Sequence, residues 1–133
     1  MKLPIMLDED QVDAMQIREA NKPSTNAVTQ TIVNYLNNFR YCFVWRQNNI
    51  PAKGRRNTTL LGVPDICGFT RTGQALYIEI KTGNDRMSEG QKKFRDECCK
   101  RGAIYIVAKD LDDVIHHLDL LCCYVSYSFL PKK

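Results

Sequence analysis

The fold turns on two short stretches, Gly62-Val63-Pro64-Asp65-Ile66 and Leu76-Tyr77-Ile78-Glu79-Ile80-Lys81. Strand alternation in the second puts Leu76, Ile78 and Ile80 on one face. Tyr77, Glu79 and Lys81 take the other, with Glu79 and Lys81 about 7 Å apart. Between the stretches, Arg71-Thr72-Gly73 fits a three-residue hairpin loop, a type I turn whose last residue takes the left-handed conformation that Gly adopts at low cost. That turn pairs Thr70 with Gln74, and counting back along both strands sets Asp65 opposite Glu79, on the same face. A two-residue turn would slip the register by one and point Asp65 away. Turn chemistry alone therefore predicts two carboxylates and one ammonium on a single patch.

Upstream, Ser24 is a good N-cap for a helix whose apolar positions Val28, Ile32, Tyr35, Leu36 and Phe39 follow the 3.6-residue period. Residues 7–20 read as an earlier helix of poor periodicity, interrupted by Asn21-Lys22-Pro23. Tyr41 to Asn48 is rich in strand formers, and the polar, basic run 51–59 reads as a loop. The hairpin strands are expected at about 64–70 and 74–82. Ser88 opens a helix with Phe94 and Cys98 on its inner side, ended by Gly102. Ala103 to Ala108 is apolar throughout, which predicts a central strand covered on both faces. Asp110 caps a helix to about Leu120, and residues 123–129 are expected to form a last strand. The outcome is an α/β chain, a mixed central β-sheet flanked by helices, forming a single domain over residues 1–133.

Composition removes other classes. The 133 residues are 44% hydrophobic and 26% charged, with 7 Gly and 5 Pro, which excludes a disordered chain, a linker and a collagen-like repeat. A domain of this size buries roughly two-thirds of its unfolded surface, enough for a core without staples. No run of about 18 apolar residues is present, and Asp8-Glu9-Asp10 follows Met1 too closely for a signal peptide. A cytoplasmic location with no membrane partner is the expectation. In a reducing compartment the six cysteines stay free thiols. The adjacent pairs Cys98-Cys99 and Cys122-Cys123 point apart on regular structure, so small buried side chains are the better reading than a zinc site with His116-His117. The net charge of +4 divides into −3 over residues 1–20 and +7 over the rest, a balance that suits a polyanionic partner or plain solubility.

Two carboxylates placed together repel, and an ordinary sheet gains nothing from them. A divalent cation reverses that sign. Mg²⁺ takes about six oxygens, usually one or two carboxylates plus water and substrate phosphate. Asp65 and Glu79, with the Ile80 backbone carbonyl, are candidate ligands, and Lys81 is placed to orient an attacking water or to balance charge growing on a phosphate. The competing structural reading is a surface Glu–Lys pair with an Asp that caps a turn.

The ordered set Trp45-Arg46-Gln47-Asn48, Gly62-Val63-Pro64-Asp65-Ile66, Glu79-Ile80-Lys81-Thr82, Ser88-Glu89-Gly90-Gln91 and Gly102-Ala103 resembles the VRR-NUC family of the PD-(D/E)xK nuclease superfamily, in its short stand-alone form found in phages and bacteria. The likeness covers residues 24–118, leaving 1–22 as an N-terminal helical leader and 119–133 as a C-terminal extension. It implies a restriction-endonuclease-like core and Mg²⁺- or Mn²⁺-dependent cleavage of DNA in a bacterial cell or phage-infected host. Stand-alone members are also similar to Holliday-junction resolvases, which work as two-fold dimers. The partners implied are branched DNA and a second copy of the chain, with the apolar tail from Leu120 to Leu130 and the leader helix as candidate dimer surfaces.

Where the family offers a glutamate from its first core helix, this chain has Asn26, with Gln30 four residues later. Asn26 is therefore either a neutral metal ligand or a polar first-turn residue beside the Ser24 cap. Gln91 completes a capping box with Ser88, while the family places this Gln at the active site, and it shares a helix face with Phe94 and Cys98. Arg46 and Asn48 alternate onto one face of their strand, as DNA contacts or as exposed polar side chains. Lys53, Arg55 and Arg56 are candidate phosphate contacts, which position DNA without reading its sequence. No base-reading module is visible in the sequence, so selectivity is expected to come from DNA shape. The expected chemistry is in-line attack of water on a DNA phosphodiester, with Asp65, Glu79, Lys81 and Gln91 as the catalytic set. The alternative is a weakened nuclease-fold protein that binds nucleic acid without cutting it.

Overall fold

The computed structural model describes residues 23–47 and 60–128, with 122–128 as backbone only. The expected leader helix over 7–20, Asn48 and the loop carrying Lys53, Arg55 and Arg56 lie outside the described residues. Ser24 caps α1 (Thr25–Phe39), its hydroxyl oxygen accepting from the Ala27 N–H at 3.2 Å. Val28, Thr29, Ile32 and Leu36 form the buried stripe of this helix. Thr29 tolerates burial because its hydroxyl donates to the Thr25 carbonyl at 2.7 Å. Then follow β1 (Phe43–Arg46), β2 (Ile66–Phe69), β3 (Ala75–Ile80), α2 (Glu89–Lys100), β4 (Ile104–Ala108) and α3 (Leu111–Ser128).

The sheet order is β1-β2-β3-β4, antiparallel across the first two pairings and parallel between β3 and β4, which α2 connects. Ile66 pairs with Ile78 and Phe69 with Ala75, the Thr70 N–H donates to the Gln74 carbonyl at 2.8 Å, and Gly73 adopts φ +84°. The three-residue turn and its register thus form as the sequence predicts.

One face of the sheet, built from Val44, Ile66, Leu76, Ile78, Ile80, Ile106 and Ala108, makes the core with α1 and with Val114 and Leu118 of α3. An ion pair of 2.7 Å between Arg40 and Asp119 ties the end of α1 to α3. The other face carries Tyr77 and Tyr105, which α2 covers through Phe94, its ring edge-on to Tyr77 at 5.2 Å. At the β1 edge, the Asn37 side chain brackets Val44, accepting from its N–H at 2.9 Å and donating to its carbonyl at 3.0 Å.

Two expectations fail. The apolar strand β4 stands at the edge of the described sheet rather than in its centre, and Val107 is exposed. Its apolar residues serve α2 on one side and α3 on the other, so two-sided cover does not require a central position. Residues 123–128 belong to α3, not to a last strand. Their Tyr and Val favour strand intrinsically, but a helix already nucleated at the Asp110 cap, where Asp110 accepts from the Asp113 N–H at 2.9 Å, meets no Gly or Pro before Pro131. Propagation outweighs so weak a preference.

Among the described residues the Tyr105 hydroxyl is buried without a hydrogen-bond partner. Its desolvation is uncompensated, so Tyr105→Phe is expected to stabilise the protein by about 1 kcal/mol, read as a higher urea midpoint at unchanged slope.

Candidate active site

Asp65 precedes β2 directly and is held from both sides. Its carbonyl accepts from the Gln47 N–H at 2.7 Å, and its Oδ2 accepts from the Ile80 N–H at 2.9 Å. The second bond anchors this carboxylate beside the end of β3. Glu79 lies in the same cross-strand row and is only 4% exposed. Its Oε1 accepts from Gln91 Nε2 at 2.7 Å and stands 3.5 Å from Lys81 Nζ. Burial, reinforced by the negative charge of Asp65, pushes the Glu79 carboxyl up to about 7, against the opposing pull of Lys81.

Lys81 Nζ also lies 3.5 Å from Asp85 Oδ2, so the ammonium is suspended between a buried and an exposed carboxylate. Gln91 closes the capping box and reaches Glu79 with the same carboxamide. Its Oε1 accepts from the Ser88 N–H at 2.9 Å, closing the capping box, while its Nε2 is left to hold Glu79. The first turn of α2 is set against the site by a glycine contact. A Cβ on Gly62, which has φ +78°, would lie 2.2 Å from the Gly90 carbonyl oxygen.

The structure thus brings Asp65, Glu79, Lys81 and Gln91 together. Arg46 goes elsewhere. It pairs with Ile66 and shares the core-side face, and its guanidinium donates to the side-chain oxygen of Asn26. Of the two readings of Asn26, that contact suits the polar first-turn residue, since it takes up the oxygen a metal would need. Sequence reasoning missed Gln47, which follows Arg46 by one position and falls in the row of Asp65 and Glu79; the register of β1 on β2 reveals this, and alternation within β1 alone does not. It also missed Asp85, brought back to Lys81 by a turn in which the Asp85 N–H donates to the Thr82 carbonyl at 3.2 Å.

Among the described residues no group of three or more His, Cys, Asp or Glu gathers into a metal cage. The donor set here is two carboxylates, one of them driven towards its protonated form by burial first and by the other's charge second. This pattern fits a hard divalent cation that relieves the repulsion and draws its remaining oxygens from water and phosphate. It does not suit zinc, which favours thiolate and imidazole.

The VRR-NUC domain family model matches residues 43–110, just over half of the chain, with Asp65, Glu79, Lys81 and Gln91 all inside the match. The chain belongs to the VRR-NUC family. The solved structures that resemble it include two VRR-NUC proteins. One is a VRR_NUC domain protein, 23% identical over 85% of this chain and 86% of that one, with a TM-score of 0.44. The other is a VRR_NUC domain, 20% identical over 68% of this chain and 90% of that one, with a TM-score of 0.48. No curated protein matches the chain. Membership of the VRR-NUC family carries a nuclease-type fold, and among the described residues of this VRR-NUC chain the one buried charged side chain, Glu79, lies in the cluster with Asp65, Lys81 and Gln91. No described helix is long and apolar enough to cross a membrane.

Proposed function

We propose that this VRR-NUC chain is a Mg²⁺- or Mn²⁺-dependent endonuclease that hydrolyses phosphodiester bonds in branched DNA, such as four-way junctions, as a two-fold dimer in the cytoplasm. The observation that carries the chemistry is the buried Glu79 carboxylate beside Asp65, with Lys81 Nζ at 3.5 Å. Asp65 and Glu79, with the Ile80 carbonyl, would hold the ion. When bound, such an ion supplies Lewis-acid polarisation of a phosphate and eases deprotonation of water. Gln91 fixes the Glu79 carboxylate through a 2.7 Å hydrogen bond. Lys81 offers its ammonium to negative charge developing on the phosphate, and Asp85 keeps that ammonium from collapsing onto Glu79. Branched DNA is supported by the likeness of stand-alone family members to junction resolvases. The described part of the proposed dimer surface is Leu120 and Leu121, which α3 leaves exposed.

The test compares a labelled four-way junction with a linear duplex of the same arms, with Mg²⁺ and with EDTA. Paired nicks in the junction, lost with EDTA, support the proposal. Junction DNA that is retarded but intact overturns it in favour of a binding protein, and discrete cuts in linear plasmid overturn it in favour of a sequence-specific nuclease. Absence of any DNA binding at low salt removes nucleic acid altogether.

A further inference from the structure

We propose that the exposed rings along β1 form a stacking track for unpaired bases, leading a single-stranded arm of DNA to the Asp65–Glu79 pair. The proposal deepens the nuclease assignment by naming the strand state of the substrate beside the site, and it rests on that assignment.

The register fixes which residues share the site's face. Trp45 pairs with Cys67, which pairs with Tyr77, so Trp45 stands one row, about 7 Å, from the row that holds Gln47, Asp65 and Glu79. Phe43 and its partner Phe69 make the next row out. Phe43 is 72% exposed, Trp45 40% and Phe69 46%, whereas Val44 on the reverse side of the strand is buried in the core. Three large rings contiguous in solvent on so small a domain mark a binding surface rather than packing. α2 covers Tyr77 and Tyr105 through Phe94, and Phe43, Trp45 and Phe69 make their ring contacts with one another instead.

The occupant follows from spacing and charge. Ring centroids are 5.9 Å apart for Phe43 and Trp45 and 6.3 Å for Trp45 and Phe69, and the planes are tilted by 59° and 55°, so the three rings offer separate faces and no continuous stack. Bases stacked in duplex rise by about 3.4 Å, so the rings suit an extended strand, whose bases are separated, rather than an intact stack. Base–aromatic stacking accepts every base, which matches a site without base-reading groups. At the outer end Tyr41 is held at φ +54°, a conformation costing a non-glycine residue roughly 1–2 kcal/mol, with its ring 72% exposed and the Arg71 guanidinium 5.5 Å from the ring centre. A cation there serves a phosphate. At the inner end the Trp45 indole N–H donates to Gln47 Oε1 at 3.2 Å, coupling the last ring to the carboxylate row. A second copy of the chain docked on this face would instead block the approach to Glu79.

Trp45 is the sole tryptophan, so its emission reports on this surface alone. The 133-residue chain, in EDTA so that nothing is cut, is titrated with oligothymidine, a blunt duplex and a duplex with a single-stranded arm, following Trp45 emission together with anisotropy of labelled DNA. The expected result is quenching by the single strand and the armed duplex, little change with blunt duplex, and binding of the single strand about tenfold weaker in Phe43→Ala and in Phe69→Ala. Binding seen by anisotropy with no quenching, or equal quenching by blunt duplex, overturns the track and leaves the nuclease assignment standing. Trp45 emission already shielded from acrylamide in the free protein overturns it in favour of cover by the chain's own segments. A dimer that is lost in Trp45→Ala overturns it in favour of a second copy. Quenching by single strands from a protein that cuts no junction keeps the track and removes only the cleavage.

Discussion

Glu79→Gln is expected to lower metal-dependent DNA cleavage by about a thousandfold while making the metal-free protein more stable at pH 8. The two effects have one origin. Glu79 is buried beside Asp65, and its carboxyl titrates at about 7 in the fold against 4.5 for a free glutamate. A raised carboxylate pKa means that the folded state binds the proton more tightly than the unfolded chain does. The contribution to stability is therefore complete below about pH 4.5 and is lost as pH rises through about 7. Above that, the buried anion costs up to about 3 kcal/mol, or roughly 10 °C in melting temperature. Gln is isosteric, neutral and still able to accept from Gln91, so the variant should melt at nearly the same temperature at pH 6 and pH 8, where the wild type falls. Mg²⁺ should restore the wild type at pH 8 and leave the variant unchanged. Thermal melts at both pH values, with and without Mg²⁺, alongside junction cleavage, check all of this. Equal pH dependence in the two proteins would deny Glu79 its place.

Gly62→Ala should be nearly as damaging, although Gly62 carries no reactive group. The added methyl would lie 2.2 Å from the Gly90 carbonyl oxygen and 2.3 Å from its carbon, and both are backbone atoms, so no rotamer change relieves the clash. Either the segment leading to Asp65 or the first turn of α2 must move, and Gln91, next to Gly90, moves with the latter. The expected outcome is a loss of about 3 kcal/mol in stability and about a hundredfold in cleavage rate, the scale of an ångström's displacement at a reacting centre. Gly73→Ala separates clash from backbone conformation. Gly73 has φ +84° but nothing within 4 Å of its missing Cβ, so this variant should cost only about 1 kcal/mol and leave cleavage unchanged. Melting temperatures and cleavage rates of the two variants, measured together, decide the matter.

The hairpin was legible because its evidence is local. Gly73 selects the turn, the turn selects the register, and the register carries Asp65 to Glu79. The capping box of Gln91 and its inward direction were legible because a capping box and a helix face are short-range patterns. What failed was non-local. The place of β4 depends on which strands pair across the sheet, and its apolar composition records cover, not neighbours. The helical state of residues 123–128 depends on a helix begun more than ten residues earlier. For Arg46, alternation gives two faces without saying which one carries the acids; only the pairing of Arg46 with Ile66 decides it, and that pairing brings Gln47 into the acidic row. Asp85 reaches Lys81 through a turn that the sequence does not advertise.

The amide of Asn37 has a consequence for how copies of this protein can meet. By occupying both outward-facing groups of Val44, one carboxamide closes the margin of a strand that would otherwise accept a foreign strand or a flexible peptide by β-addition. Sheet-to-sheet zippering through that border is blocked. Fibre growth has no template there, and any pairing of protomers on that side of the sheet is left to helices and loops, whose geometry can change without disturbing the strands that carry the acids.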